Sequence, residues 1–240
     1  MKYIVFTTGT AGTGKSTFVK EAMDFFKTRY CHAINLDPAV EQLQYNCSVD
    51  IRDLVRVDEV MEEFGLGPNG ALLYCYEYLL NNVDWIREKF DFENDFLLID
   101  CPGQIELYSH LNLMPRLVKL FEQMGYQQLV LHLTEAHHLT NANHYWSIQL
   151  NALSSMLLMG LPHLNVLTKC DLLPDYENYI DTIPEPKDEF TKKLGNLILD
   201  NVDLQWIPID YEDEFTIQNL IVTMDQSLGF GEYEEIMERE

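Results

Sequence analysis

The amino-acid sequence predicts a three-layer α/β fold, in which helices cover both faces of a mainly parallel central sheet. Short apolar runs rich in β-branched and aromatic residues alternate with longer segments that repeat apolar residues at helical spacing. Several runs end in polar or charged residues, as parallel strands do where their carboxyl ends form a ligand crevice. The predicted strands are 3–8, 32–36, 96–100, 128–133, 164–167 and 206–210.

The first predicted strand is followed by a glycine-rich segment that predicts a phosphate-binding loop. Residues 9–16 read GTAGTGKS, a full match to G-x-x-x-x-G-K-[ST] placed between a strand and a helix. Glycines let successive backbone N–H groups converge on phosphate oxygens, and the helix N-terminus adds partial positive charge. This order is typical of P-loop nucleoside triphosphatases, although the motif alone separates neither ATP from GTP nor a kinase from a hydrolase.

The residue types of this loop indicate separate roles in nucleotide binding. The ammonium of Lys15 is expected at the β- and γ-phosphates, and the hydroxyl of Ser16 on Mg²⁺. The predicted nucleotide-binding residues of the segment are Gly12, Thr13, Gly14, Lys15, Ser16 and Thr17.

Two later strands end in carboxylates that are candidates for the metal site. Asp37 follows the strand at 32–36 and is a candidate near Mg²⁺ or the γ-phosphate, but a turn or helix-cap aspartate fits the same pattern equally well. Asp100 ends the strand at 96–100, and residues 100–103 read D-x-x-G. In P-loop proteins such an aspartate holds the Mg²⁺ shell, and the glycine, here Gly103, donates its N–H to the γ-phosphate. The predicted metal set is Ser16, Asp37 and Asp100.

Polar residues directly after Gly103 are candidates for orienting an attacking water. Gln104 and Glu106 lie where such a group is required, with an ordinary polar loop as the alternative.

A second nucleotide motif follows the predicted strand at 164–167. Residues 168–171 read TKCD, a match to [NT]-K-x-D. The carboxylate of Asp171 suits guanine, which offers a ring N–H beside an exocyclic amine, whereas adenine has no such pair of donors. The stem of Lys169 can cover the base face. Together with the two earlier motifs, Thr168, Lys169 and Asp171 favour GTP over ATP.

The segment 50–82 predicts a largely helical insertion with two helices. Residues 65–70 read GLGPNG between them, and Gly-Pro and Asn-Gly favour a plain turn on physical grounds. We attribute Tyr74, Tyr76 and Tyr78 to helix packing.

Three further helices are predicted, over 144–159, 190–199 and 215–228. The first is expected to contribute core residues, which are Trp146, Ile148, Leu150, Leu153, Leu157 and Leu158. Residues 175–203 are charged and interrupted by prolines, and they predict a surface excursion without recognisable chemistry. The histidines at 137, 138 and 144 do not predict zinc, because no cysteine or carboxylate completes a ligand set at the required spacing.

Length and composition bound the class of protein. A chain of 240 residues that is 47% hydrophobic buries roughly 70 to 75% of its unfolded surface, so we expect one domain over 1–240. The 39 acidic side chains against 16 basic ones give a net charge of -23, which argues against binding nucleic acid or an anionic membrane through a general electrostatic surface. The five scattered cysteines suggest neither disulfides nor zinc. Because no leader or long apolar run is visible, we expect an intracellular, cytoplasmic protein.

With these residues assembled, the chain resembles the GPN-loop GTPases over nearly its whole length. Within that family, 64–82 and the ending at 207–210 look most like the third eukaryotic paralogue. The matching segments are Gly14-Lys15-Ser16-Thr17, Asn35-Leu36-Asp37-Pro38-Ala39, Asp50-Ile51-Arg52, Gly67-Pro68-Asn69-Gly70, Asp100 through Tyr108 and Thr168-Lys169-Cys170-Asp171. Two departures are Thr10, where proline or serine is commoner, and Thr134-Glu135, where many members have a hydrophobic residue followed by Asp.

The resemblance implies a GTPase that acts as a nucleotide-dependent homodimer or heterodimer with a paralogue. It also implies RNA polymerase II subunits or assembly factors as partners, a role in nuclear import, and shuttling to the nucleus. Asn69 matches the family asparagine that reaches the partner's nucleotide and stabilises the phosphate being released. Gln104 and Glu106 match the residues that orient the attacking water.

Two other functions remain open from the sequence. The first is a GTP-bound assembly adaptor that hydrolyses poorly and uses its nucleotide as a conformational ligand. The second is a P-loop kinase, which is disfavoured by the guanine motif and by the lack of an evident basic lid among only six arginines.

Overall fold

A computed structural model describes residues 1–26, 30–92, 96–104, 112–186, 188–201 and 204–230. The chain divides into two compact units. Unit 1 comprises Met1–Val130 and Leu158–Leu161, and unit 2 comprises Leu131–Leu157 and Pro162–Glu240. The expectation of a single domain over 1–240 stays a prediction.

Seven strands form one sheet, in the order β3-β2-β4-β1-β5-β6-β7. They are β1 (Lys2–Thr8), β2 (Cys31–Asn35), β3 (Val49–Asp50), β4 (Phe96–Asp100), β5 (Tyr126–Glu135), β6 (His163–Thr168) and β7 (Trp206–Pro208). The described registers are parallel, and Thr7 of β1 and Asn35 of β2 both lie level with Asp100 of β4. The predicted α/β fold with a mainly parallel sheet is therefore confirmed.

Nine α-helices are found in the described ranges, together with short 3₁₀ helices at Ile51–Asp53, Ala136–Thr140 and Cys170–Leu172. None of the helices in these ranges is both long and apolar enough to span a bilayer. The helices are α1 (Lys15–Phe25), α2 (Val57–Phe64), α3 (Pro68–Asn81), α4 (Val83–Lys89), α5 (Leu113–Gln123), α6 (Ala142–Met159), α7 (Tyr176–Ile180), α8 (Glu189–Asn201) and α9 (Glu214–Leu228).

The core of unit 1 explains why its strands read as continuous apolar runs. Both neighbours of β4 pair with it in parallel, so the strand is buried along its whole length. Phe121 of α5 packs on Phe6 of β1 with ring centroids 6.1 Å apart, and on Phe90 at 5.0 Å. Tyr76 of α3 is fully buried in the same cluster, which confirms its predicted packing role.

Several predicted element boundaries and exposures are wrong. The insertion predicted to be helical from Asp50 begins as strand β3, since Val49 and Asp50 pair with β2. The predicted strand at 206–210 ends at Pro208. Leu150 and Leu157 of α6, predicted as core residues, are 37% and 74% exposed. The prediction was wrong because periodicity identifies the apolar face of a helix but does not show how much of that face is covered.

The predicted turn at 65–70 is shorter than expected. Gly65 ends α2 with a φ of 64°, and Gly67 is the extended N-cap of α3. Pro68 is the first residue of that helix, where its missing N–H costs nothing and its fixed φ suits the helix. Asn69 therefore lies in the first turn of a helix and not in a loop.

A candidate phosphate and magnesium site

The loop between β1 and α1 has the backbone shape that its glycines predict. Gly9, Gly12 and Gly14 have φ values of 132°, 87° and 88°, a region that other residues rarely adopt. Gly14 is the N-cap of α1, and its carbonyl accepts from the Phe18 N–H at 2.8 Å. The loop therefore delivers the chain directly into a helix N-terminus, the arrangement that binds phosphate.

Lys15 lies against this loop and is buried. Its Nζ donates to the carbonyl oxygens of Gly9 at 3.1 Å and Thr10 at 3.0 Å, and the side chain is 8% exposed. Burial lowers the pKa of Lys15, and the negative charge of Asp100 opposes that shift. The ammonium is thus held among acceptors at the mouth of the loop, where phosphate oxygens would compete for it.

Gly103 approaches the phosphate loop closely. A Cβ atom added at Gly103 would lie 2.8 Å from the Ala11 nitrogen, 2.9 Å from the Ala11 Cα and 3.1 Å from the Lys15 Nζ. Any larger residue would collide with backbone, so this position requires glycine. The structure thus brings the D-x-x-G segment to the phosphate loop, as its motif predicts.

Asp100 lies at the carboxyl end of β4 and is 3% exposed. Its carboxylate accepts hydrogen bonds from the Ser16 hydroxyl and, at 3.0 Å, from the Tyr45 hydroxyl. Burial raises the pKa of Asp100, against the opposing effects of both hydrogen bonds and of the Lys15 charge. Tyr45 could not be predicted as a partner, because it lies in an irregular segment 55 residues from Asp100.

Asp37 also lies near these groups. Burial raises the pKa of its carboxyl, against the hydrogen bond from the Ala39 N–H at 2.9 Å and the charges of Lys15 and Arg52. The negative charge of Asp37 contributes to raising the pKa of Asp100. The bond from the Ala39 N–H is the contact of an Asx turn, so Asp37 has the turn role, and its role at the metal stays a prediction.

A buried polar network holds the segment that carries Asp37. Asn35 is fully buried and donates to the Asp37 carbonyl at 3.2 Å and to Asp50 Oδ1 at 2.9 Å, while its own Oδ1 accepts from the Asp37 N–H. Arg52 binds both oxygens of Asp50 and donates to the Val40 carbonyl at 3.0 Å. These contacts give Asn35, Asp50 and Arg52 a structural role that the sequence did not assign.

Mg²⁺ fits the oxygen donors of this site. It prefers oxygen ligands, and it usually binds through one or two carboxylates together with the phosphates of a substrate. Ser16 is already hydrogen-bonded to Asp100, and Asp37 interacts electrostatically with the same carboxylate. The described residues contain no group of three or more His, Cys, Asp or Glu side chains that could hold a metal ion by themselves.

Two of the three predicted catalytic residues, Asn69 and Gln104, lie within the described residues. Oε1 of Gln104 is buried and has no hydrogen-bond partner among the described residues. Glu106 lies outside the described residues. Asn69 is exposed, and the contact that links its helix to this site is the bond from the Tyr76 hydroxyl to the Leu36 carbonyl at 2.7 Å.

The predicted guanine motif lies in unit 2, at the end of β6. Thr168 is buried, and its hydroxyl donates to the Thr134 carbonyl at 3.3 Å. Lys169 has a φ of 58°, and its Nζ donates to Glu135 Oε1 at 2.8 Å. Asp171 is exposed in the 3₁₀ helix that follows. The ion pair was not predicted, although Glu135 already stood out as a departure from the family pattern.

The segment after β7 lies beside this motif. The Ile209 N–H donates to the Leu167 carbonyl at 2.8 Å, and the Thr216 hydroxyl donates to the carbonyls of Asp210 and Asp213. This segment is thus held next to Leu167, the residue that precedes Thr168.

Comparison with known proteins now identifies the family. A family model described as a conserved hypothetical ATP binding protein matches residues 7–230. GPN-loop GTPase 3 of Kluyveromyces lactis is 37% identical over 96% of this chain and 93% of its own length. The Saccharomyces cerevisiae protein of the same name is also 37% identical, over 96% of this chain and 94% of its own length. The chain belongs to the GPN-loop GTPase family.

A solved structure supports the same assignment of the fold. A GTPase in apo form from Pyrococcus abyssi is 26% identical, with a TM-score of 0.69 over 98% of this chain and 95% of that one. The predicted resemblance to GPN-loop GTPases, and to their third eukaryotic paralogue, is therefore confirmed.

Proposed function

We propose that this GPN-loop GTPase binds GTP with Mg²⁺ and hydrolyses it to GDP and phosphate. The observation that carries the proposal is the approach of Gly103 to Ala11 and Lys15. This close approach of two separate motifs and one ammonium supports the proposal, because a γ-phosphate requires N–H donors and a cation together. The hydrogen bond of Ser16 to Asp100 supports their assignment as metal ligands, since it brings the two side chains together.

Each group around the phosphates has a separate role. The backbone N–H groups of residues 12–15 bind phosphate oxygens, and Lys15 exchanges its two carbonyl acceptors for oxygens of the β- and γ-phosphates. Ser16 and Asp100 would hold the metal, Asp100 through a water, with Asp37 as a third contact. A bound Mg²⁺ neutralises negative charge on the β- and γ-phosphate oxygens. Gln104 and Glu106 orient the attacking water.

The description of the family model mentions ATP, whereas the names of the relatives mention a GTPase. The choice of GTP over ATP therefore rests on Asp171. An exposed carboxylate can accept from both the ring N–H and the amine of guanine. The ion pair with Glu135 holds Lys169 so that its stem can lie along the base. A site built on such paired hydrogen bonds rejects a base that lacks the donors.

We further propose that Asn69 acts on the nucleotide of a second subunit. Asn69 is exposed in the first turn of α3, whose N-terminus is fixed by Pro68, so its amide is available to another molecule. Partners in RNA polymerase II assembly, a role in nuclear import and a cytoplasmic location with nuclear shuttling rest on the family resemblance alone. If hydrolysis proves negligible even in the dimer, the adaptor function takes the place of the enzyme.

Nucleotide binding tests the proposal most directly. Calorimetry should show GTP bound more tightly than ATP, and Asp171→Asn should weaken GTP and favour xanthosine triphosphate, since an amide donates to the carbonyl that replaces the guanine amine. Asp175→Asn, at another exposed aspartate, is the matched control. Lys15→Ala should abolish binding, whereas Lys20→Ala, at an exposed position in the middle of the same helix, should not. Equal affinities for GTP and ATP would refute the base assignment.

A further inference from the structure

A cavity of about 480 Å³ lies within unit 2, which is the size range of small-molecule sites. Its walls come from α6, α7, α8 and the segment that enters β7. Tyr145, Trp146 and Gln149 of α6 are buried in its lining, whereas Ile183 and Leu199 are about half exposed. The cavity therefore has a buried aromatic side and an accessible apolar edge.

Three buried polar atoms of this lining have no hydrogen-bond partner among the described residues. They are Nε1 of Trp146, Oε1 of Gln149 and Nε1 of Trp206. Trp146 and Gln149 are each only 3% exposed. Buried polar groups are nearly always paired. The two indole donors and the amide acceptor of this lining therefore each require a hydrogen-bond partner that the described residues do not supply.

Neighbouring residues hold two of these groups in place. The Gln149 side chain hydrogen-bonds to the Tyr145 hydroxyl, an interaction that opposes the rise in the pKa of Tyr145 caused by burial. The amide nitrogen donates in that bond, so Oε1 remains as the acceptor. A Cβ at Gly195 of α8 would lie 2.7 to 2.9 Å from the Trp146 ring, so the indole packs directly on that helix backbone.

The chemistry of the lining defines the ligand. All ten lining residues are uncharged, and burying a charge without a partner is costly, so neither a triphosphate nor another ion suits the cavity. Indole N–H groups require an acceptor, Oε1 of Gln149 requires a donor, and the aromatic walls favour a flat body. We propose that this cavity is a binding site for a small uncharged aromatic lactam or carboxamide, which presents a carbonyl to the indoles and an N–H to Gln149.

Nuclear magnetic resonance of the indole groups tests the site in the full chain. The protein has three tryptophans, so ¹⁵N labelling gives three indole signals that Trp→Phe variants assign. The probe is 2-quinolone, a bicyclic aromatic lactam. Titration should shift the signals of Trp146 and Trp206 and leave that of Trp85, in unit 1, unchanged. Absence of any shift, or equal shifts of all three signals, overturns the proposal.

A second probe and a matched pair of variants test the hydrogen bonds. 1-Methyl-2-quinolone has no N–H, so it should bind about 3- to 10-fold more weakly than 2-quinolone, the effect of one hydrogen bond. Gln149→Leu should remove that difference, and Trp206→Phe should weaken both probes by a similar factor. Leu157→Ala, at an exposed residue of α6 outside the cavity, should change neither.

Equal binding of the two probes by the unmodified protein would overturn the assignment of Gln149. The Trp146 signal without a probe reports whether unit 2 is folded in each variant, and Trp206→Phe keeps the proposal testable if Gln149→Leu does not fold. The test needs no nucleotide, so its outcome is independent of the proposed GTPase function.

Discussion

At the scale of single residues, Asp100 combines burial with an unusual number of polar contacts. Its carboxylate accepts from Ser16 and Tyr45 and lies close enough to Lys15 and Asp37 for their charges to affect its pKa. Burial penalises an ionised carboxylate, and two donors and one cation offset only part of that cost, since the pKa of Asp100 stays raised. A metal ion bound here would further favour the ionised form of Asp100.

We expect Asp100→Ala to remove most of the Mg²⁺ dependence of GTP affinity, because Asp100 supplies the carboxylate that faces Ser16. Guanine selectivity should be retained, since the base motif is unchanged. GTP titrations with and without Mg²⁺ measure both quantities. Asp91→Ala is the control, as the Asp91 side chain is 72% exposed and forms an ion pair with Lys2 at 3.1 Å. An undiminished Mg²⁺ effect in Asp100→Ala would contradict the assignment.

His163 predicts a dependence of stability on pH. Burial lowers the pKa of His163 from 6.5 to about 4, and both ring nitrogens are buried without a partner among the described residues. The folded state therefore binds fewer protons than the unfolded state between these values. The stabilising contribution is complete above pH 6.5 and is lost as the pH falls towards 4, with about 2 kcal/mol lost by pH 5.

The measurement is the free energy of unfolding by urea at pH 7 and pH 5. His163→Gln should lose about 2 kcal/mol less than the unmodified chain between these pH values. His137→Gln, at an exposed histidine, provides the comparison. If His163→Gln shows the full pH dependence, the acid sensitivity has another origin.

At the scale of elements, the site depends on how the ends of three strands meet the N-terminus of a helix. The registers of β1 and β2 with β4 bring Thr7, Asn35 and Asp100 to one level. The Leu36 N–H donates to the Asp100 carbonyl at 2.9 Å, and the Leu36 carbonyl accepts from Tyr76 of α3. The helix that begins at Pro68 is thus connected by hydrogen bonds to the strand end that carries Asp100.

The close approach of Gly103 to the phosphate loop gives a prediction at this scale. Gly103→Ala must displace the backbone at Ala11, so we expect affinity for a non-hydrolysable GTP analogue to fall about 10- to 100-fold, the value of one hydrogen bond to a charged group. GDP affinity should fall less, because the Gly103 N–H is assigned to the γ-phosphate. Calorimetry compares the two nucleotides.

The control for this variant is Gly70→Ala, where an added Cβ meets only the Leu66 side chain at 3.8 Å. That change should leave both affinities within about twofold. An equal loss for GDP and the GTP analogue in Gly103→Ala would indicate a displaced loop without a γ-phosphate contact.

At the scale of the whole molecule, the open question is whether one chain is sufficient for hydrolysis. Charge develops on the γ-phosphoryl oxygens, so catalysis requires a donor aimed at them. Arg52 forms an ion pair with Asp50, and Arg56 forms one with Asp58. Neither arginine is therefore an evident donor to the γ-phosphate. The family resemblance instead implies Asn69, which is exposed on α3.

Asn69→Ala should leave GTP binding nearly unchanged and slow turnover by about 10- to 1000-fold, the range for one positioned donor. The protein should also increase its native mass when a non-hydrolysable GTP analogue is bound, alone or beside a paralogue. Mixing Asn69→Ala subunits with Lys15→Ala subunits decides the geometry. The only loaded site then faces a normal Asn69, so action across subunits predicts recovered hydrolysis, whereas action within a subunit predicts none.

Features that depend on neighbours along the chain could be predicted from the sequence alone. The phosphate loop followed from three glycines and Lys15 within eight residues, since backbone freedom and charge are local properties. The strand predicted at 96–100 has those bounds in the structure, because a strand buried on both faces is a continuous apolar run. The family also followed from such contiguous motifs.

The folded chain was needed to show which distant residues meet. The Tyr45 hydroxyl donates to Asp100, Gly103 lies against the backbone of Ala11, and two tryptophans 60 residues apart line one cavity. No local sequence pattern encodes these pairs. Turn propensity likewise misplaced Asn69, because Pro68 suits both a turn and the first position of a helix. Such positions are decided by packing, which selects among local conformations of similar energy and depends on contacts between segments far apart in the chain.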